Sequence, residues 1–452
     1  MGDTFHGVIA FAFLAALILI GVALRARIRI LQNSLLPASL IGGLLGFVLI
    51  SLDLSFGFES SDYVAFAFHF FTLSFMSLVL TGKESGAPTQ SVGNGALWLS
   101  VGWTMSLVLQ ALVGLAVIVT YNAVTGGSLS NYLGMLVTHG FTQGPGQALA
   151  MGNIWQSEFE VNLAVDFGLI YASMGFILSF LIGVPAARYA IQRGLNANTE
   201  SKLTAVFLKG WHEQGERPVA GYQVSHSANV DSLVVHLGVL GLAYFITHQY
   251  LLLLQQTVAG VTLFGLPIEI LASHNLFFIH GLIVCLIIRK LMDRLGFGHV
   301  IDNETQKRIT GSSVDLMMAA TIMSIQFTLL AEYIVPILAV CLAAALTTAL
   351  LCFGFGRFLN HLSAERAITL FGCCTGSTGS GLLLLRILDP DLSTPVPREL
   401  AFFNVAIIFL TLHILMVMAP LLPSFGLLTV CLVYGGTFVV GAIAMQFLAK
   451  RS

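Results

Sequence analysis

Long apolar runs separated by short polar stretches make up most of the chain. They fall near residues 7–24, 37–52, 64–82, 96–121, 163–187, 232–254, 268–288, 314–331, 333–355, 401–422 and 425–448. A helix that crosses a bilayer needs roughly 20 apolar residues, so these runs predict eleven spans. Two further stretches, 131–153 and 366–388, are apolar at both ends and polar in the middle. Their centres read VTHGFTQGPGQ (residues 137–147) and GCCTGSTGSG (residues 372–381).

The basic residues decide whether these two stretches cross or return. Let both be re-entrant hairpins and let the N-terminus lie outside. Then Arg25, Arg27, Arg29, Lys83, Arg188, Arg193, Lys202, Lys209, Arg217, Arg289, Lys290, Arg294, Lys307, Arg308, Arg357, Arg366, Arg386, Arg398, Lys450 and Arg451 all fall on the cytoplasmic side. The acidic loops with Asp53, Glu59, Asp62, Glu158 and Glu160 fall outside. If 131–153 crossed instead, the basic group from Arg188 to Arg217 would move outside, against the positive-inside rule.

This reading gives an all-α integral membrane protein with two inverted-topology repeats of five transmembrane helices, each with a re-entrant hairpin, plus one extra C-terminal helix. Residues 1–190 form the first repeat (hairpin 131–153), 191–230 a cytoplasmic linker, 231–422 the second repeat (hairpin 366–388), and 423–452 the additional helix. Five is odd, so the halves insert in opposite orientation and the hairpins enter from opposite faces, the plan of many secondary transporters. The chain is expected to cross its membrane many times, with the N-terminus outside and the C-terminus cytoplasmic. The first apolar run lacks a small-residue cleavage site and reads as a retained helix.

Composition agrees. Hydrophobic residues make up 56% of the chain and charged residues 9%, against about a quarter charged in soluble domains. The surplus apolar surface has to face lipid. Basic residues are scattered singly, so nothing points to nucleic acid. The six cysteines lie in apolar segments without zinc-site or disulfide spacing, and read as reduced packing residues.

The polar centres carry the candidate chemistry. Gly144, Pro145 and Gly146 are expected to break the first hairpin at its tip, and Gly376, Gly379 and Gly381 the second. Backbone that leaves the helix at membrane depth has to line a polar cavity or face protein. The freed carbonyls can ligate a cation, and the new helix N-termini can hold an anion. Aligning Gly144–Gly146 with Gly379–Gly381 superposes the hairpins and pairs Thr142 with Ser377. The expected substrate- and ion-binding residues are Thr138, Thr142, Gln143, Gly144, Gly146 and Gln147 in the first hairpin. In the second they are Cys374, Thr375, Gly376, Ser377, Thr378, Gly379, Ser380 and Gly381. Asp166, an intramembrane carboxylate on the fifth span, joins them. Neutral oxygens suit a hard cation such as Na⁺, and no cluster of His and carboxylates suggests a transition metal.

Small residues also mediate ordinary helix packing, but two such stretches at equivalent places of two halves favour function. His139 reads as a hydrogen-bonded structural group and Arg386 as a snorkelling, topology-setting residue. His236, His248, His280 and Gln326 read as satisfied core groups. A membrane enzyme built on Cys373, Cys374 or His139 would lack an acid–base partner nearby in sequence, so no catalytic residue is assigned.

The chain resembles the bacterial sodium/glutamate symporter family as a divergent member. The run TQGPGQA (142–148) stands where that family has a Gly-rich GGHGT-type signature, and LIGVPAARY (181–189) resembles its Gly-x-Pro-x-Ala-Arg-Tyr end of the fifth span. GCCTGSTGSG is similar to its Gly-His-Cys-Gly-rich second hairpin, and LPASLIGGLLG (36–46) to the opening of its second helix. The resemblance spans residues 1 to about 422. Pro145 and Gln147 replace the His and Thr of the signature, and Cys373 replaces a His. The resemblance implies Na⁺-coupled uptake of glutamate, or a related amino or dicarboxylic acid, by an elevator movement, with a homodimer as scaffold in the lipid bilayer.

Overall fold

The computed structural model describes every residue except 1, 82–89, 199–204, 213–214, 216–217, 264–265, 391 and 451–452. Lys83, Lys202, Arg217 and Arg451 of the topology argument lie outside the described residues. In chain order the helices are α1 (Gly2–Arg27), α2 (Arg29–Ser34), α3 (Ala38–Ser51), α4 (Ser61–Leu80), α5 (Gln90–Thr125), α6 (Asn131–Met135), α7 (Val137–Phe141), α8 (Pro145–Phe159), α9 (Ala164–Gln192) and α10 (Ala205–Lys209). The second half holds α11 (Ser232–Val258), α12 (Phe277–Arg294), α13 (Asn303–Met323), α14 (Phe327–Glu332), α15 (Ile334–Gly356), α16 (Ser363–Thr375), α17 (Thr378–Leu388), α18 (Val396–His413) and α19 (Leu427–Ala449). A two-residue antiparallel pair, β1 (Thr262–Leu263) with β2 (Leu266–Pro267), precedes the 3₁₀ turns that lead into α12.

Among the described residues nine helices are long and apolar enough to cross a membrane. Two of the eleven expected spans are not among these nine. The second is α3, only 14 residues and so roughly 21 Å long. The eighth, expected over 314–331, is α13, which starts at Asn303 and ends at Met323; α14 follows as a separate piece. Its first half, NETQKRITGSS, is too polar to register as an apolar run. It is helical because the Asp302 side chain accepts a hydrogen bond from the Thr305 amide, 2.8 Å away, an N-cap that satisfies one orphan donor of the first turn. The seventh helix also begins late, at Phe277 rather than near 268, because residues 268–276 form 3₁₀ turns. The linker carries the short helix α10.

Packing relates the halves in a regular way. α1 lies on α3, and α11 on α12. α3 packs on α13, and α12 on α4. α18 packs on α5, and α9 on α15. α4 and α13 face each other, as do α5 and α15. The polar-centred stretches, α6–α8 and α16–α17, are wedged against α5, α9 and α15.

The base of α16 is fixed by a buried ion pair. Arg366 donates from Nε and Nη2 to the two carboxylate oxygens of Glu399 on α18, at 2.9 and 2.6 Å. The side chains are 1% and 0% exposed. Gly95 of α5 makes room for it, since a Cβ there would overlap the Glu399 carboxylate. The neighbouring Glu365 accepts a hydrogen bond from the Ala197 amide of the linker at 2.6 Å.

Candidate functional site

The first polar centre is a helix break. α7 ends at Phe141, and α8 starts at Pro145 after Thr142, Gln143 and Gly144. Gly144 has φ 90° and ψ 179°, a region that residues with a Cβ essentially never occupy. Pro145 then takes the first helical position, where its missing N–H costs nothing. Gly144 brings no side chain to cap α8, so the amides of Gly146 and Gln147 open the helix uncapped. Gly146 lies so close to α4 that a Cβ would overlap the Phe71 ring. Residues 133–152 are buried throughout.

The second polar centre breaks differently. α16 ends at Thr375, and Ser377 is the N-cap of α17, with its Oγ accepting from the Ser380 amide at 3.3 Å. The break is therefore Gly376–Ser377. Gly379 and Gly381 lie inside α17, as Gly146 lies inside α8, rather than breaking the chain themselves. Matching the two N-caps sets Gly144 against Ser377. This shifts the expected alignment by two residues, pairing Thr142 with Thr375 and Gly146 with Gly379. The reason is chemical: serine caps a helix through its hydroxyl, so the chain can turn ahead of the glycines. The shifted register has a counterpart in packing. Gly146 abuts Phe71 of α4, and a Cβ on Gly379 would lie 3.6 Å from Val314 of α13. Gly379 has room for a methyl group, whereas at Gly381 a Cβ would overlap Cys373 Sγ and crowd Thr369 O.

The two breaks face each other. Thr142 Oγ1 donates to Gln110 Oε1 at 2.6 Å and lies 3.3 Å from the Cys374 carbonyl oxygen. Gln110 Nε2, from the middle of α5, lies within hydrogen-bond reach of three oxygens, Cys374 O at 2.8 Å, Thr348 Oγ1 of α15 at 2.9 Å and Ser106 Oγ at 3.1 Å. Trp103 Nε1 donates to Thr142 O at 3.2 Å, and Thr138 Oγ1 to Leu107 O at 2.7 Å. Thr375 Oγ1 turns back to Phe371 O, and Thr378 Oγ1 contacts Asn404 Oδ1 at 3.1 Å. Sequence reading missed Trp103, Ser106, Gln110 and Thr348. The available signal was one amide and several hydroxyls inside otherwise apolar runs, overshadowed by the glycine-rich centres.

Several buried polar atoms at the tips have no protein partner: Gln143 Nε2, Gln147 Nε2, His139 Nε2 and Ser380 Oγ. Such atoms are rare in folded interiors and call for an explanation. His139 Nδ1 meets Gln143 Oε1 at 2.8 Å, and its ring stands edge-on to Trp155, so His139 supports the tip from inside the hairpin.

Asp166 stands apart from the other expected residues. It accepts from Gln326 Nε2 at 3.0 Å. It also lies nine residues along α9 from Gly175, which abuts Thr375 O, so roughly 14 Å away along the axis. Arg386 is exposed on α17. His236 bonds Ser232 O and the Asp302 amide, and His280 bonds Leu271 O. All six cysteines are free. Among the described residues no group of three or more His, Cys, Asp or Glu is placed to hold a metal. A cavity of about 990 Å³ lies elsewhere, between α1, α4, α11 and α13, and none of its lining residues belongs to either tip.

A comparison with curated proteins finds no match. The sodium/glutamate symporter family matches residues 4–358, from α1 to just past the end of α15, and the match stops before the second hairpin. Because that match spans most of the chain, the protein belongs to the sodium/glutamate symporter family.

Proposed function

We propose that the protein is a Na⁺-coupled symporter that imports a small anionic solute, glutamate or a related amino or dicarboxylic acid, by elevator-type alternating access. Family membership implies Na⁺-coupled glutamate transport. One observation carries the extension to this chain: two helix breaks from separate halves meet at Thr142 and Cys374, and both tips carry buried polar atoms without protein partners. The uncapped start of α8, with the Gly146 and Gln147 amides and the Gln147 side chain, suits a carboxylate. The carbonyls at the end of α16 suit a cation.

The exchanged packing of α3 on α13 and α12 on α4 supports two inverted repeats. In this reading α6–α8 and α16–α17 are re-entrant hairpins that move together against the scaffold helices of a homodimer in a bacterial inner membrane. No side chain does covalent chemistry. The chain's groups orient the solute and exclude water, and coupling arises because each ligand orders the tips for the other.

Flux into proteoliposomes tests this. Glutamate should accumulate above its external concentration only when a Na⁺ gradient points inward. Downhill flux without accumulation would indicate a channel, and no flux with any amino or carboxylic acid would indicate a non-transporting sensor; either result ends the symporter reading.

A further inference from the structure

The cavity of about 990 Å³ between α1, α4, α11 and α13 is a groove with almost wholly apolar walls. Phe11 of α1, Phe70 and Leu73 of α4, Leu237 and Phe245 of α11 and Leu316 of α13 supply them. α1, α4 and α11 are among the nine helices long and apolar enough to cross a membrane. Leu237 and Phe245 are 47% and 61% exposed, so the groove is open along α11 rather than sealed by protein. From Leu233 to His248, both in its lining, α11 rises roughly 22 Å, more than half of a hydrocarbon core about 30 Å thick. An apolar space of this size among membrane-crossing helices takes up hydrocarbon, since apolar cavities do not hold water.

One end of the groove is polar. His248 and His274 line it beside the 3₁₀ turns that lead into α12. Gln255, two turns further along α11, donates from Nε2 to Ala272 O at 3.0 Å and lies 3.1 Å from His274 Nδ1. An amide nitrogen carries two protons, so the second goes to His274 Nδ1, which is therefore bare. Neutral His274 then holds its proton on Nε2 and donates it to His248 Nδ1 at 3.1 Å. Neutral His248 in turn carries its proton on Nε2, and that N–H has no partner among the described residues. The other pair in the lining, His69 and Tyr244, is satisfied internally at 2.5 Å. The groove thus presents a hydrocarbon-filled trough with one unmatched donor at its rim.

We propose that this groove is a binding site for one phospholipid, whose acyl chain fills the trough and whose ester carbonyl accepts the hydrogen bond from His248 Nε2. The bilayer supplies a molecule of this chemistry, a hydrocarbon chain that ends in oxygen acceptors. No Lys or Arg lines the groove, so the neutral ester matches the rim better than the charged phosphate, which favours cationic partners. The site stands beside the tip contacts without sharing a residue with them. Phe70 lines the groove, and the next residue, Phe71, abuts Gly146. Ser313 lines it, and the next residue, Val314, lies against Gly379. A seated lipid therefore braces α4 and α13, the two helices that meet the tips. Lipid binding here does not depend on the symporter reading.

The test is native mass spectrometry of the full-length protein in detergent, titrated with palmitoyl-oleoyl phosphatidylglycerol. One lipid should bind ahead of all others, and phosphatidylethanolamine with the same chains should bind alike, because the ester is common to both. Gly241 lines the groove, and a Cβ there meets nothing within 4 Å. Gly241→Phe should therefore fill the trough without strain and abolish the first binding step, leaving the weaker later ones. His248→Phe keeps a ring but removes the donor, and should weaken the first step roughly five- to tenfold. His248→Gln still offers an N–H and should restore it. Leu242→Phe, on the exposed side of α11 and outside the lining, should bind as wild type. On the wild type itself, an ether-linked phospholipid without ester carbonyls should bind as weakly as the ester lipid binds His248→Phe. The site is overturned if Gly241→Phe keeps the first step at wild-type affinity, or if Gly241→Phe and Leu242→Phe lose it alike. It is equally overturned if ether and ester lipids bind the wild type with one affinity. A lipid-free dimer that Gly241→Phe splits into monomers would assign the groove to a second copy of the chain and overturn it too.

Discussion

Replacing Arg366 with Met should cost about 3–5 kcal/mol of stability, the usual loss when one partner of a buried ion pair is removed. Glu399 is 0% exposed and takes two hydrogen bonds from the guanidinium. Without Arg366 its carboxylate is left in a dry pocket against Gly95, with neither water nor a cation. The double variant Arg366→Met/Glu399→Leu removes both charges and should recover most of the loss, because the penalty lies in the orphaned charge rather than in the missing attraction. Thermal unfolding in detergent compares the three proteins. A single variant that melts with the wild type, or a double variant no better than the single, would show that the pair does not hold α16 to α18.

The second large effect is expected at Gly146. A methyl group there would occupy space already filled by the Phe71 ring. Phe71 is 1% exposed and cannot simply swing aside, because Phe75 and Phe278 pack on it with ring centroids 4.6 and 5.2 Å away. Gly146→Ala should therefore cost about 1–3 kcal/mol through overpacking. It should also displace the start of α8 and weaken glutamate binding by more than roughly tenfold, since about 1.4 kcal/mol is a factor of ten. Adding Phe71→Ala reopens the space, so the pair should couple and bind better than Gly146→Ala alone. Gly379→Ala, with room at Val314, should be far milder. Equal losses at Gly146 and Gly379 would contradict this account.

Much of the helical framework was legible in the sequence because lipid imposes one rule: a crossing segment must be apolar over its length and must satisfy its own backbone. That rule locates α1, α4, α5, α9, α11, α15, α18 and α19. It fails at α13, where the first half is polar and only the Asp302 cap reveals the start. It fails at α3, whose apolar run is genuine but yields only a 14-residue helix. The polar centres were visible as glycine clusters, but composition does not say which residue ends a helix. Gly144 is forced by its positive φ, whereas in the second hairpin Ser377 takes the capping role and the glycines follow inside the helix. Gln110 stayed hidden because a lone amide in the apolar middle of the 36-residue α5 gives no local pattern. Its importance comes from Thr142, Thr348 and Cys374, which are 32, 238 and 264 positions away in the chain.

The stretch between the halves is sewn down at both ends. Ala197 bonds Glu365 beside the buried ion pair, and the Tyr222 amide bonds Asp302 at the head of α13. A polypeptide severed between these two stitches keeps the first as a bond between the fragments, Ala197 to Glu365, and the second within the C-terminal fragment. α3 on α13, α4 on α12, α5 on α18 and α9 on α15 still interlock across the cut. Two separately translated pieces, divided within that stretch, should accordingly find each other in the cell and co-purify as one particle; if they emerge as strangers, the covalent bridge is what holds the halves in partnership.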